Sequence, residues 1–157
     1  MATCITHSPE ETFALGEEWS RSLRSGEVIA FAGDLGAGKT QLVKGIAAGL
    51  GYDRRVQSPT FALINEYPLT ELSLFHLDLY RLETKQEILV AGLDEFLIEP
   101  KGVTLVEWPE RWFGPAFFEL NEAKSGFVAA PETGVRRVFL ETLGGNERRL
   151  VYEDIGV

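Results

Sequence analysis

A strand, a glycine loop and a helix follow one another between Val28 and Gly51, and that succession limits the chain to a small set of architectures. Val28-Ile29-Ala30-Phe31-Ala32 is a short apolar run suited to a buried strand. Gly33-Asp34-Leu35-Gly36-Ala37-Gly38-Lys39-Thr40 is a complete G-x-x-x-x-G-K-T loop, and Gln41–Leu50 reads as a helix closed by Gly51. Strand, loop and helix in this order are the context in which the motif cradles phosphate. The expected fold is α/β: a three-layer domain of the P-loop NTPase kind, with a central mixed sheet and antiparallel hairpin additions.

The spacing has a chemical reason. Glycines let backbone N–H groups turn inward around phosphate oxygens where a Cβ would crowd them. A helix starting near Gly38 points its positive end at the same oxygens. Lys39 supplies a charge for the β- and γ-phosphates, and Thr40 a hydroxyl for Mg²⁺. The expected nucleotide-binding set is therefore Asp34, Leu35, Gly36, Ala37, Gly38, Lys39, Thr40 and Gln41.

Charge narrows the partners. The 157 residues carry 24 acidic and 15 basic side chains, a net charge of −9. Such a surface repels nucleic acid and releases no counterions from it, so strong direct RNA or DNA binding is disfavoured. An acidic chain can still attach to a basic partner that holds the nucleic acid. The length suits one domain over residues 1–157. Cys4 is the single cysteine, which excludes an intrachain disulfide and suits a cytoplasmic setting. Cys4 and His7 have a ligand-like spacing, but no second pair completes a zinc site, and the segment reads as unremarkable. No apolar stretch reaches membrane-spanning length.

Ser8-Pro9-Glu10-Glu11 is a helix start, with Ser as N-cap, Pro at the first helical position and Glu at the third. Leu15, Trp19 and Leu23 give that helix an apolar stripe, and Gly26 is expected to end it. Ala62–Tyr67 reads as a strand stopped by Pro68, and Leu72–Tyr80 as its antiparallel partner. Alternation in the second strand puts His76, Asp78 and Tyr80 on one face and Phe75, Leu77 and Leu79 on the other. Residues 83–98 read as one or two helices broken near Gly92, and Val103–Val106 as a compact strand. Residues 121–134 read as a polar loop, and Arg136–Leu143, Gly144-Gly145 and Asn146–Tyr152 as a hairpin.

Hydrolysis would need a metal-holding acid and a group that orients the attacking water. Asp78 and Glu107 each end an apolar strand, where ligands gather in open α/β sheets. One could hold Mg²⁺, directly or through water, while the other orients water. Thr60, in Ser58-Pro59-Thr60-Phe61, stands either where a switch threonine would sense γ-phosphate or in a plain turn before a strand. Trp108 could stack on a base or a partner, but packing is the commoner use of tryptophan.

Four blocks in order give the chain a resemblance to the TsaE (YjeE) family of bacterial ATPases. They are Gly33–Thr40, Ser58–Phe61, His76-Leu77-Asp78-Leu79-Tyr80-Arg81 and Glu107-Trp108-Pro109-Glu110-Arg111; Gly92–Phe96 is similar too. The resemblance implies an ATP/ADP-binding protein of low ATPase activity. Its place would be on the TsaB–TsaD complex, which threonylcarbamoylates an adenosine in the tRNA anticodon loop. By position, Lys39 and Thr40 would hold phosphate and Mg²⁺, and Thr60 would be the switch threonine. Asp78 would be the acid of the metal-site motif. Glu107 and Trp108 would belong to the block that serves hydrolysis and nucleotide contact. Gln41 stands where many members have a second Thr or Ser, and residues 113–131 match no family feature.

The rival reading is a small-molecule P-loop kinase, which needs an arginine-bearing lid and an acceptor pocket. Arg54, Arg55, Arg136 and Arg137 could supply arginines, though none falls in a helical lid pattern. A GTPase is disfavoured because no Asn-Lys-x-Asp segment is present. A third possibility is a binding protein that uses nucleotide as an on/off ligand, with coupling bounded by the partner's differential affinity.

Overall fold

A computed structural model of the chain describes residues 1–34, 36–59, 61–121, 126–127 and 134–155. In chain order the elements are β1 (Ala2–Thr6), α1 (Pro9–Ser20), β2 (Val28–Ala32), α2 (Lys39–Gly49), β3 (Ile64–Pro68) and β4 (Ser73–Asp78). There follow α3 (Lys85–Val90), α4 (Glu95–Ile98), β5 (Val103–Glu107), α5 (Glu110–Phe113), β6 (Leu120–Asn121), β7 (Gly126–Phe127), β8 (Val135–Gly144) and β9 (Glu147–Ile155). The large sheet runs β1-β9-β8-β2-β5-β4-β3. β2 lies parallel to both β5 and β8, β4 is parallel to β5, and the remaining pairs in that sheet are antiparallel. This is the expected mixed sheet with hairpin additions at both ends.

The period-2 alternation of β2 explains the three layers. Ile29 and Phe31 face one core with Trp19, Leu42, Val43 and Ile46 of α1 and α2; Val28, Ala30 and Ala32 face the other with Ile88, Leu97 and Trp112 of α3, α4 and α5. A central strand buried on both faces reads as a continuous apolar run, as this one does.

α1 and α2 touch backbone to backbone. A Cβ on Gly45 would lie 2.0 Å from the Phe13 carbonyl oxygen, and one on Gly16 2.5 Å from that of Leu42. The helix that opens with Lys39 is thus seated against α1 without an intervening side-chain layer.

Several expected boundaries move. Ser8 caps α1 as read, its hydroxyl accepting from the Glu11 N–H at 3.1 Å, but the helix ends at Ser20 rather than Gly26. Beyond it the chain tightens into i→i−3 turns, Arg21, Ser22 and Leu23 donating to the carbonyls of Glu18, Trp19 and Ser20, while the Ser20 and Ser22 hydroxyls turn back on the carbonyls of Glu17 and Trp19. Leu23 is still buried, in those turns. The segment around Cys4, expected to be unremarkable, is edge strand β1, paired with β9. β3 starts at Ile64 and ends on Pro68, which an edge strand tolerates. α3 and α4 are the two helices read in 83–98, with Gly92 between them at φ +72°. Within the expected 121–134 loop, Asn121 and Gly126–Phe127 belong to the short β6–β7 pair, and 122–125 and 128–133 lie outside the described residues.

Candidate active site

The loop leaves the carboxyl end of β2 and enters α2 through Gly38, whose φ of +98° makes it a left-handed N-cap that glycine alone adopts freely. Gly36 is also left-handed, and the space where its Cβ would stand is open. Gly33 presses on the neighbouring strand: a Cβ there would lie 2.2 Å from the Leu140 carbonyl oxygen. The start of the loop is therefore fixed by β8.

Beside the loop is a cavity of about 270 Å³, lined by Gly36, Gly38, Lys39, Thr40, Ser58, Asp78, Tyr80, Glu107 and Trp108. Residues from the loop, β4 and β5 thus converge on one concavity, as Asp78 and Glu107 are register partners across β4 and β5. A larger cavity of about 530 Å³, between the end of α2 and the β3–β4 turn, contains none of these side chains. Chemistry rather than size selects the smaller one.

Lys39 is buried, and its ammonium donates to the carbonyls of Gly33 and, at 3.3 Å, Asp34. It also lies 5.1 Å from the centre of the Trp108 ring. Burial pushes the Lys39 pKa down, against the opposing pull of Glu107, Glu110, Asp78 and Asp34. A desolvated cation whose bonds go to neutral carbonyls is suited to exchange them for anionic oxygens. With the open glycine cradle, this donor set fits a polyphosphate.

Asp78 is held at both carboxylate oxygens and Glu107 at one. Asp78 Oδ1 accepts from the Tyr80 N–H at 3.0 Å, and Oδ2 from the Ser58 hydroxyl at 3.4 Å. That backbone bond explains why β4 stops at Asp78 rather than Tyr80. Glu107 Oε1 meets His76 Nε2 at 3.0 Å, and His76 is wholly buried. Trp108 follows with φ +58°, a conformation that a bulky residue adopts at a cost of order 1–3 kcal/mol. Its ring packs on Tyr80 at 4.9 Å and also borders the second core, so packing and cavity lining coincide.

Of the expected residues, Gly36, Gly38, Lys39, Thr40, Asp78, Glu107 and Trp108 are brought together. Ala37 is fully buried under the loop, Asp34 is exposed, and Gln41 lines a separate hollow with Pro9, Glu10 and Phe13. Leu35 and Thr60 lie outside the described residues. His76, Ser58 and Tyr80 join the site although residue type alone did not nominate them; their place in the blocks containing Asp78 and Thr60 was the available signal. A Mg²⁺ ion would find Thr40, Asp78 and Glu107 here, an oxygen set of the kind that ion takes together with phosphate. The arginines of a kinase are not at this cavity: Arg136 lies over the Trp19 ring, while buried Arg137 bonds the Phe117 carbonyl and Glu153. Arg54 borders the larger cavity, and Arg55 is exposed.

Residues 6–131 match the family described as threonylcarbamoyl adenosine biosynthesis protein TsaE. The chain belongs to the TsaE family. A TsaE relative from Bacillus subtilis is 48% identical over 103 residues, covering 66% of this chain and 63% of the relative. One from Synechocystis is 45% identical over 98 residues, 61% of this chain and 62% of the relative. One from Treponema pallidum is 39% identical over 108 residues, 69% of this chain and 78% of the relative. The match thus spans a little under two thirds of the Bacillus and Synechocystis proteins. The crystal structure of Bacillus subtilis YdiB superposes with a TM-score of 0.72 at 32% identity, covering 99% of this chain and 86% of that one. The TsaE match ends before β8 and β9, the two strands that complete the sheet beyond β2. Among the described residues no helix of this TsaE-family chain is long and apolar enough to cross a membrane.

Proposed function

We propose that the chain binds ATP with Mg²⁺ in the Gly33–Thr40 loop and hydrolyses it slowly, in service of threonylcarbamoylation of tRNA adenosine. The observation that carries this reading is the convergence of Lys39, Thr40, Asp78 and Glu107 on one cavity beside the glycine cradle. TsaE membership supplies the biosynthetic setting. Its partner would be the TsaB–TsaD complex, and the charge of −9 suits a chain that leaves the tRNA to others.

Lys39 exchanges the Gly33 and Asp34 carbonyls for β- and γ-phosphate oxygens, while the loop N–H groups hold the same phosphates. Mg²⁺ supplies, when bound, positive charge against the phosphates, with Thr40 and Asp78 as its protein-side oxygens. Ser58 and the Tyr80 N–H keep the Asp78 carboxylate from rotating away. Glu107, tethered at Oε1 by His76, has Oε2 to orient a water on the γ-phosphorus. The water oxygen forms the new P–O bond, the bond to the ADP oxygen breaks, and the water's proton leaves toward Glu107. Trp108 covers Lys39 and limits the access of bulk water to it.

The test is ATP hydrolysis by the purified chain, alone and with TsaB–TsaD, with Lys39→Ala as the blank. Slow turnover that needs Lys39 and rises with the complex supports the proposal. Turnover indifferent to the complex removes the TsaB–TsaD part of it, and phosphate transfer to a small acceptor would favour a kinase instead.

A further inference from the structure

The hairpin of β8 and β9 touches the phosphate loop at two places. One is the Gly33–Leu140 backbone contact already described. The other is Arg148, on β9, opposite Thr6 of β1 and Thr142 of β8. Its Nη2 donates to the Gly36 carbonyl at 3.2 Å, while Nη1 donates to the carbonyls of Gly145 at 2.8 Å and Glu147 at 2.9 Å. The Arg148 Cγ and Nε also lie 3.7 Å from where a Cβ of Gly38 would stand. One guanidinium thus ties the hairpin turn to the loop 112 residues earlier in the chain.

The charge around the loop gives this contact a purpose. Asp34, Asp78, Glu107 and Glu110 all act on Lys39, and Asp78 and Glu107 are buried. A polyphosphate entering this field meets several negative charges and one buried lysine. Arg148 is a second cation at the loop, and its three bonds all go to backbone carbonyls; no carboxylate among the described residues pairs with it. Its charge is therefore not cancelled where a polyphosphate would benefit from it. Its bond to Gly36 also fixes which way that peptide faces. On the other side of the same peptide the Ala37 N–H donates to the Asp34 carbonyl at 3.1 Å, so this turn of the loop is held from both sides.

We propose that Arg148 is a positioning residue for the phosphate loop: it braces the loop through the Gly36 carbonyl and holds an uncompensated positive charge beside it. This rests on the reading that the loop binds nucleotide. Arg148 acts through the loop rather than on the reacting atoms, so its removal raises KM more than it lowers kcat.

The experiment is calorimetric titration of the full chain with ATP and Mg²⁺, paired with steady-state hydrolysis, for wild type, Arg148→Ala, Arg148→Lys and Arg149→Ala. Arg149 is the control, because it sits on the same strand but pairs with Glu141 at 2.6 Å. Loss of one charge-assisted bond predicts roughly tenfold weaker ATP binding in Arg148→Ala, a parallel rise in KM, and kcat within about twofold. Arg148→Lys restores part of the affinity, and Arg149→Ala leaves it unchanged. If Arg148→Ala fails to fold, Arg148→Gln, which keeps a donor and loses the charge, decides in its place. Wild-type affinity in the folded Arg148 variant overturns the proposal while the nucleotide reading stands. Absence of ATP binding by the wild-type chain would overturn the nucleotide reading first and this one with it.

Discussion

His76 Nε2 stands 3.0 Å from Glu107 Oε1, with the imidazole entirely enclosed between strands and its Nδ1 without a partner among the described residues. Nε2–H donates to the carboxylate and fixes the direction of its second oxygen. His76→Ala is expected to lower ATP turnover roughly 10- to 100-fold, the equivalent of one hydrogen bond to a charged group, with ATP affinity within a few-fold. Single-turnover kinetics beside a binding titration separate the two. Equal losses in rate and affinity would assign His76 to the fold alone.

Lys39→Met is expected to abolish or severely weaken ATP binding without lowering the melting temperature. The reason is the sign of the lysine's shift: burial holds its pKa below the ordinary value, so the unfolded chain binds that proton more readily than the folded one. The residue's contribution to stability therefore rises with pH, between its lowered pKa and the ordinary lysine range. The Met variant lacks that rise, and its stability advantage over wild type should shrink as pH climbs through the window. Denaturant melts at neutral and alkaline pH measure this; a wider gap at high pH would contradict it.

Trp108 is one of three tryptophans and the one at the cavity, whereas Trp19 packs on Tyr152 and Trp112 meets Lys85. ATP binding should pull Lys39 away from the Trp108 ring and change the indole emission. Trp108→Phe should remove most of that fluorescence change while leaving the signal of the other two. An undiminished change in the variant would place the nucleotide elsewhere.

Asp78→Ala is expected to reduce hydrolysis more than nucleotide affinity, and to shift the Mg²⁺ concentration needed for half-maximal rate upward. Asp78→Asn keeps an acceptor for the Tyr80 N–H and should preserve the melting temperature better than Ala. A magnesium titration of the rate in both variants tests the pair. An unchanged magnesium requirement would leave Asp78 a structural role at the end of β4.

Gly45→Ala should destabilise the chain by about 2–3 kcal/mol or force α1 away from α2, because the added methyl meets the Phe13 carbonyl oxygen at 2.0 Å. Urea unfolding gives the size. A neutral result would mean that the two helices separate easily, which their shared core opposes.

What could be read from the residues was what local chemistry dictates. The glycine loop between a β-run and a helix announces itself, and Ser8-Pro9 marks a helix start wherever it is placed. Gly26 is the obvious stop for α1, but the backbone tightens into i→i−3 turns after Ser20, which residue type does not announce. β1 carries little local signal because its pairing partner, β9, lies at the other end of the chain. The same distance hid the two contacts that organise the loop's surroundings. His76 and Glu107 are 31 residues apart and meet through strand register, and Arg148 and Gly36 meet across 112. Alternation assigned His76 to the face of Asp78, yet no rule of spacing could say which acid it would bond.

The order of the sheet has a consequence for anyone trimming this chain. Residues 1–134 would retain the glycine loop, Asp78, Glu107 and Trp108, and so every motif that marks the site. They would lack β8 and β9, which shield one side of β2, and β1 would lose the strand on which it depends. The apolar strand that feeds the loop would then become an open, unprotected border, a template on which a second copy could add itself. A fragment chosen for its motifs would be prone to precipitate before its chemistry could be assayed.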